Sequence, residues 1–282
     1  MGGRGSAFLN NYNTNDSSGV DQQILSDIMI TMEDDEDTKL EHNGYTKLLK
    51  DKKIHIKQST DTISEEIIIP NAEKIEQLTK KYKYTAKALD KSNQELRIRS
   101  ATMPSSVKAM FVSNGTSFEN LQLVYNGDLR YSNKEIIEKN TQKQIDIGHW
   151  VKSDKDQLVN HTVTHEYGHY VQRCLMYKDS QQKEGKQKLE KLLNEIENTK
   201  SHKKQKELVI KFSEDYATKY YKSIQKIARK EFGRDYEKQS ISNYATTNNR
   251  ETFAELFCSL NTNSNPDNDL VKAMDIYLKR RL

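Results

Sequence analysis

The sequence predicts an α+β fold, mostly helical, with a small sheet just before one motif-bearing helix. Three observations carry this. The 282-residue chain holds only three prolines, so little interrupts helices. Apolar residues recur at helical spacing over residues 71–90 and again through most of 155–282. Between these stretches the runs Val107–Val112 and Leu121–Tyr125 are strand-like, and Asn126-Gly127 after the second is a strong hairpin turn signal.

Taken in order, residues 1–40 are rich in Asn, Ser, Gly and Asp and end in the acidic run Glu33-Asp34-Asp35-Glu36-Asp37, a composition expected to be disordered. Only Ile24 to Ile30 shows a short helical pattern. Residues 41–106 form a mixed and helical part. Short strands are expected at Ile54-His55-Ile56 and at Ile67-Ile68-Ile69, the latter stopped by Pro70. Ile75, Leu78, Tyr82, Ala86 and Leu89 then mark a helix over 71–90. Residues 107–282 form the third part. It opens with the sheet, to which Leu129-Arg130-Tyr131 is expected to return and Gln144–Trp150 to add a further strand. A helix over 155–177 follows, with Ser153 or Asp154 as N-cap. The Lys-rich segment 180–240 reads as an inserted helical hairpin broken at Thr199–His202. Its lysines solvate the outer face, and an acidic partner is the lesser alternative. A helix from Ile241 to Leu260 carries the stripe Phe253, Phe257 and Leu260, and Asp267 caps a last helix over 267–282.

Composition excludes several classes. The chain is 34% hydrophobic and 30% charged, so a core is feasible but not every segment can join it. A net charge of +4 is a weak basis for nucleic-acid binding, and no base-stacking motif accompanies it. No apolar run reaches the roughly 18 residues of a membrane span. No apolar stretch of secretory type follows the start Met1-Gly2-Gly3-Arg4-Gly5-Ser6, although Gly2 and Ser6 satisfy the loose myristoylation pattern. A cytoplasmic location is expected. The two cysteines, Cys174 and Cys258, read as buried reduced thiols rather than a disulfide framework.

The chemistry concentrates in His165-Glu166-Tyr167-Gly168-His169, which fits H-E-x-x-H. On a helix, residues i and i+4 share a face, so both imidazoles can reach one Zn²⁺ with Glu166 beside them as general base. Gly168 costs about 1 kcal/mol of helix stability relative to Ala, which points to a close approach by another element. His161 extends the row, but eight residues span about 12 Å at 1.5 Å per residue, too far for three ligands from one straight helix. His161 is therefore expected behind the site or on the surface. A further ligand is sought downstream, where Glu251 and Glu255 lie one turn apart. One carboxylate can bind metal while the other orients a ligand histidine; a solvated acidic face is the alternative.

Together the two segments resemble gluzincin metallopeptidases of the anthrax lethal factor catalytic-domain type. The resemblance rests on H-E-x-G-H paired with Tyr244-Ala-x-x-Asn-x-x-Glu251-x-Phe-Ala-Glu255, and covers about residues 120–262. It implies a zincin-like fold, one zinc ion, Glu251 as third ligand, Glu255 behind a ligand histidine, and Tyr244, seven residues before Glu251, as oxyanion donor. The chain departs from the pattern between the motifs, where 82 positions separate His169 from Glu251 and the charged hairpin fills much of the gap. The opening residues also look like starts of phage or mobile-element head-associated proteins, which adds a virion-associated or non-classically exported protein to the alternatives. The expected function is hydrolysis of peptide bonds in a protein or peptide substrate by a metal-activated water. The alternative is a non-enzymatic phage structural or regulatory protein with a relict zinc site.

Overall fold

In a computed structural model of the chain, residues 54–57, 64–92, 94–101, 104, 108–113, 118, 121–126, 133–233 and 236–282 are described. The N-terminal 40 residues, the myristoylation pattern and the returning strand Leu129–Tyr131 lie outside them. The elements run β1 (Ile54–Lys57), α1 (Glu65–Lys81), α2 (Lys83–Ser92), β2 (Leu96–Ala101), β3 (Ala109–Val112), β4 (Gln122–Asn126), α3 (Lys134–Asp146), α4 (His161–Ser180), α5 (Lys183–Glu197), α6 (His202–Phe232), α7 (Asn249–Thr262) and α8 (Asp269–Arg281). The expected α+β, mostly helical class is met. The sheet has strand order β1-β2-β4-β3. β1, β2 and β4 are parallel, and β3 pairs antiparallel with β4, Ala109 facing Tyr125 and Phe111 facing Leu123. Helices α1 and α2 make the crossover that a parallel β1–β2 pair requires.

Several sequence expectations are corrected. Ile67-Ile68-Ile69 is not a strand; it lies in α1, with Pro70 inside the helix. Ile67, Ile75 and Leu78 continue one helical face, all 1–2% exposed, and Ile67 packs on Val159. A run of three isoleucines satisfies either period, and burial of this face decides for the helix despite the missing Pro70 N–H. The helix expected over 71–90 is two helices. Tyr82 leaves helical geometry at φ −108°, ψ 71°, and its carbonyl accepts from Thr85 Oγ1 (2.7 Å) and Thr85 N (2.9 Å). Gln144–Trp150 is not a strand either. α3 runs through Asp146, Gly148 takes φ +67°, and the His149 and Trp150 amides both donate to the Gln144 carbonyl. The alternation Ile145, Ile147, His149 imitates a strand by chance.

The motif helix proper starts at His161, after a 3-10 segment at Lys155–Asn160. Asp154 stands at the N-cap of that 3-10 segment, as one of the two expected positions, but without a side-chain cap bond; its carboxylate accepts from the Ser264 amide (2.8 Å). α7 begins at Asn249 rather than Ile241, because Tyr244–Thr246 forms a 3-10 turn and Asn248 caps the helix. α8 is capped by Asn268, not Asp267. The charged hairpin is present as α5 and α6, and Ser201 caps the second helix. It is not merely an outward arm: Tyr216, Tyr220, Ile224 and Ala228 on α6 are buried, with the Tyr220 ring 6.1 Å from Phe253 and 6.2 Å from Tyr277.

α4 lies at the centre of the core and is buried on nearly all sides, polar residues included. α1 and α2 anchor one side of it: the Tyr167 hydroxyl bonds to Thr79 and Thr85, and Tyr170 OH donates to the Thr85 carbonyl (2.7 Å). Cys174 and Cys258 are buried free thiols, as expected. Among the described residues, no helix is long and apolar enough to cross a membrane.

Candidate metal centre

Two helices build the site. α4 carries His165, Glu166 and His169, and α7 crosses it with Glu251 and Glu255. The crossing is close because Gly168 meets Ala254: a β-carbon at Gly168 would stand 3.0 Å from Ala254 Cα and 3.2 Å from Phe257 Cβ. Glu251 sits in the first turn of α7, where its amide donates to Asn248 Oδ1 (3.0 Å) and the helix dipole favours a carboxylate.

Ligand atoms of His165, His169 and Glu251 all lie within 4.8 Å of one another, and this group could hold a metal ion. His165 Nε2 is 3.1 Å and His169 Nε2 3.4 Å from Glu251 Oε2. Glu251 is fully buried, and its Oε1, like His169 Nε2, forms no hydrogen bond. Such atoms are costly to bury unless something pairs them.

Behind this group His165 Nδ1 bonds Glu255 Oε1 at 2.9 Å. Glu255 is gripped in turn by the Val151 amide (3.0 Å) and the Ser242 hydroxyl (2.7 Å), both donating to Oε2. Ser242 also accepts from the Ala245 amide, which ties the segment before α7 to the same carboxylate. Neither Val151 nor Ser242 was expected from the sequence. A backbone amide leaves no sequence signal, and Ser242 becomes meaningful only once its loop is seen beside Glu255. The Tyr244 ring is 5.6 Å from that of His165, and its amide donates to the His149 carbonyl. Glu166 is 4% exposed with Oε2 unbonded, and lines one small cavity with Ala109, His165 and Tyr244.

His161 is not a fourth member of the group, nor is it on the surface. It is 1% exposed, stacked on Trp150 (4.9 Å, 18°) and bonded through Nδ1 to Ser153 Oγ (2.8 Å). Burial pulls its value down to about 4, so the ring is neutral.

The metal-free electrostatics are those of a histidine between two carboxylates. Burial opposes charge on His165, but hydrogen bonds to Glu251 and Glu255 raise its value to about 10. Burial likewise works against charge on Glu251, yet His169 and His165 hold it well below the usual carboxylate range. His165 is therefore raised above its ordinary 6.5. Its contribution to stability is complete below pH 6.5 and fades as pH climbs towards 10. The Glu251 contribution has the opposite sense, present above its ordinary 4.5 and lost as pH falls. A metal takes only neutral imidazole. Metal uptake at pH 7 is thus expected to release about one proton from His165. Titration calorimetry in buffers of differing ionisation heat measures this count, and a value near zero at pH 7 would contradict the paired imidazolium.

No protein-family model matches the chain, and neither curated proteins nor solved structures provide a match.

Proposed function

We propose that the chain is a zinc-dependent endopeptidase of gluzincin type. The observation that carries this reading is the convergence of His165, His169 and Glu251 with Glu255 bonded behind His165. Two imidazoles and one carboxylate form a donor set of catalytic zinc. Bonds of about 2.0–2.2 Å at tetrahedral angles put neighbouring ligand atoms roughly 3.3–3.5 Å apart. The two separations to Glu251 Oε2, 3.1 and 3.4 Å, bracket the lower part of that range. The third pair, His165 and His169, keeps its ligand atoms within 4.8 Å.

Zinc held there would supply a Lewis acid and bring the pKa of a water towards about 7. The remaining roles fall to the chain itself. Glu166 accepts a proton from the attacking water and passes it to the leaving amine. Its carboxyl is raised by burial and drawn back by His169 and His165, which suits a group that must both take and return a proton. The Tyr244 hydroxyl donates to the oxyanion of the substrate. Glu255 fixes the tautomer and orientation of His165 through its 2.9 Å bond. β3 is an edge strand whose first residue, Ala109, lines the cavity shared with Glu166, so an extended peptide can pair with it beside the site.

Elemental analysis of the wild type and a peptide-library cleavage assay test the reading. About one zinc per chain and cleavage are expected. Glu166→Gln is expected to retain the zinc and lose about 10²–10⁴-fold in kcat/KM. A folded wild type without zinc after equilibration with the metal, or zinc without any cleavage, would count against the peptidase.

A further inference from the structure

We infer that a pocket adjoining the metal centre reads the substrate residue beside the scissile bond through Asn71 and Tyr125, and that it selects a neutral carboxamide side chain. The inference rests on the peptidase reading above and gives it a substrate class.

The pocket has apolar walls from Ile67, Ile137, Val159 and Trp150. It adjoins the cavity of His165, Glu166 and Tyr244, with Lys108, Trp150 and Thr162 lining both. A peptide held for attack at the metal would bring one side chain beside it. Polar residues share the lining, among them Lys108, Asn140 and Thr141, and two of the polar side chains there carry a buried atom without a partner. Asn71 is 5% exposed, and its Oδ1 has no hydrogen-bond partner. The Tyr125 hydroxyl is also buried and unpartnered, and burial pushes its pKa well up, so it stays an O–H donor. Buried polar atoms are nearly always paired, and two orphans in one pocket point to a partner that enters from outside.

The two atoms describe that partner. An acceptor on Asn71 calls for an N–H, and a donor on Tyr125 calls for a carbonyl oxygen. A carboxamide supplies both in one planar group. A leucine would fill the apolar walls but leave both atoms unpaired, which is how hydrogen-bonding sites reject apolar analogues. A carboxylate would bring a second acceptor against Asn71 Oδ1. Size agrees. The space open to water, about 40 Å³, is roughly three times the 10–15 Å³ that one water requires. The four heavy atoms of glutamine beyond Cβ match that better than an indole or a guanidinium chain.

The test uses the full-length, zinc-loaded protein and peptides that differ only at the residue flanking the cleaved bond: Gln, Asn, Leu and Glu. Gln or Asn is expected to exceed Leu by about 10–100-fold in kcat/KM, the scale of one or two unmade hydrogen bonds. Tyr125→Phe keeps the ring and Asn71→Leu the approximate volume. Each is expected to bring the Gln:Leu ratio towards one with zinc content unchanged. Tyr125→Phe decides alone if Asn71→Leu fails to fold. No preference in the wild type, or a preference that survives both substitutions, would overturn the inference and leave Asn71 and Tyr125 as sites for buried water only. A preference for Glu would also overturn it and shift the recognition to Lys108. Zinc binding without cleavage of any peptide would instead reject the peptidase reading itself.

Discussion

On the zinc-peptidase reading, Glu251→Gln is expected to abolish zinc binding and, with it, all cleavage. The substitution keeps the shape of a side chain that is fully buried at the α4–α7 crossing, so the fold should tolerate it. What changes is the donor. Among the described residues the Glu251 carboxylate reaches both rings, 3.1 Å from His165 Nε2 and 3.4 Å from His169 Nε2. An amide oxygen is a weaker ligand and carries no charge to offset the dication. Glu255→Gln provides the internal comparison. It leaves the three ligands in place and alters only the 2.9 Å bond that orients His165. Loss of such a group behind a ligand typically weakens metal binding about 10–100-fold. Glu251→Gln should therefore exceed about 100-fold, and Glu255→Gln should stay below it. Competition against a chelator of known affinity measures both. Equal effects, or retention of zinc by Glu251→Gln, would remove Glu251 from the ligand set.

The two pairs that meet here were legible in the sequence because each is local, whereas the choice of Glu251 over Glu255 beside both histidines came from the resemblance alone. His165 and His169 are spaced for one helical face, and Glu251 and Glu255 for another, and Asn248 three residues before Glu251 is the kind of cap that starts a helix there. The grip on Glu255 was not legible, since Val151 lies 104 positions away and acts through a backbone amide. His161 was expected behind the site or on the surface, and the sequence could not choose between the two. α4 is buried on nearly all sides, so it has no polar face from which an outward position can be read. In the fold, β2 was missed although Leu96-Arg97-Ile98 alternates, and Ile67–Ile69 and Gln144–Trp150 were assigned the wrong period. Those segments are short, and short apolar runs satisfy either period until their burial is known. The expected hairpin turn did not reveal the sheet order, in which, among the described strands, β1, β2 and β4 are parallel. The β1–β2 pair is parallel because α1 and α2 carry the chain across, and β2–β4 because β3 intervenes between them; neither is decided by a turn residue.

Gly168→Val is expected to destabilise the fold by about 2–3 kcal/mol and to weaken zinc binding as well. Gly168 lies between the two ligand histidines and faces α7. An added β-carbon would meet Ala254 Cα at 3.0 Å and its carbonyl oxygen at 3.3 Å. Those are backbone atoms of a helix whose residues 251–259 are all buried, so no flexible side chain can yield. The helix must move instead. A gain in helix propensity of roughly 0.3–0.5 kcal/mol offsets little of the cost of overpacking. The direction of the movement connects stability to the site. Pushing α7 off α4 lengthens the separations between Glu251 and the two histidines, and it pulls Glu255 from His165. Urea unfolding of metal-free protein isolates the packing cost, and chelator competition then measures the loss at the site. If Gly168→Val kept the wild-type zinc affinity while losing stability, the ligands would not depend on the close crossing. If it lost neither, α4 and α7 would not meet at this glycine. Gly168 thus acts through packing alone: its missing side chain lets a carboxylate from one helix reach two histidines on another.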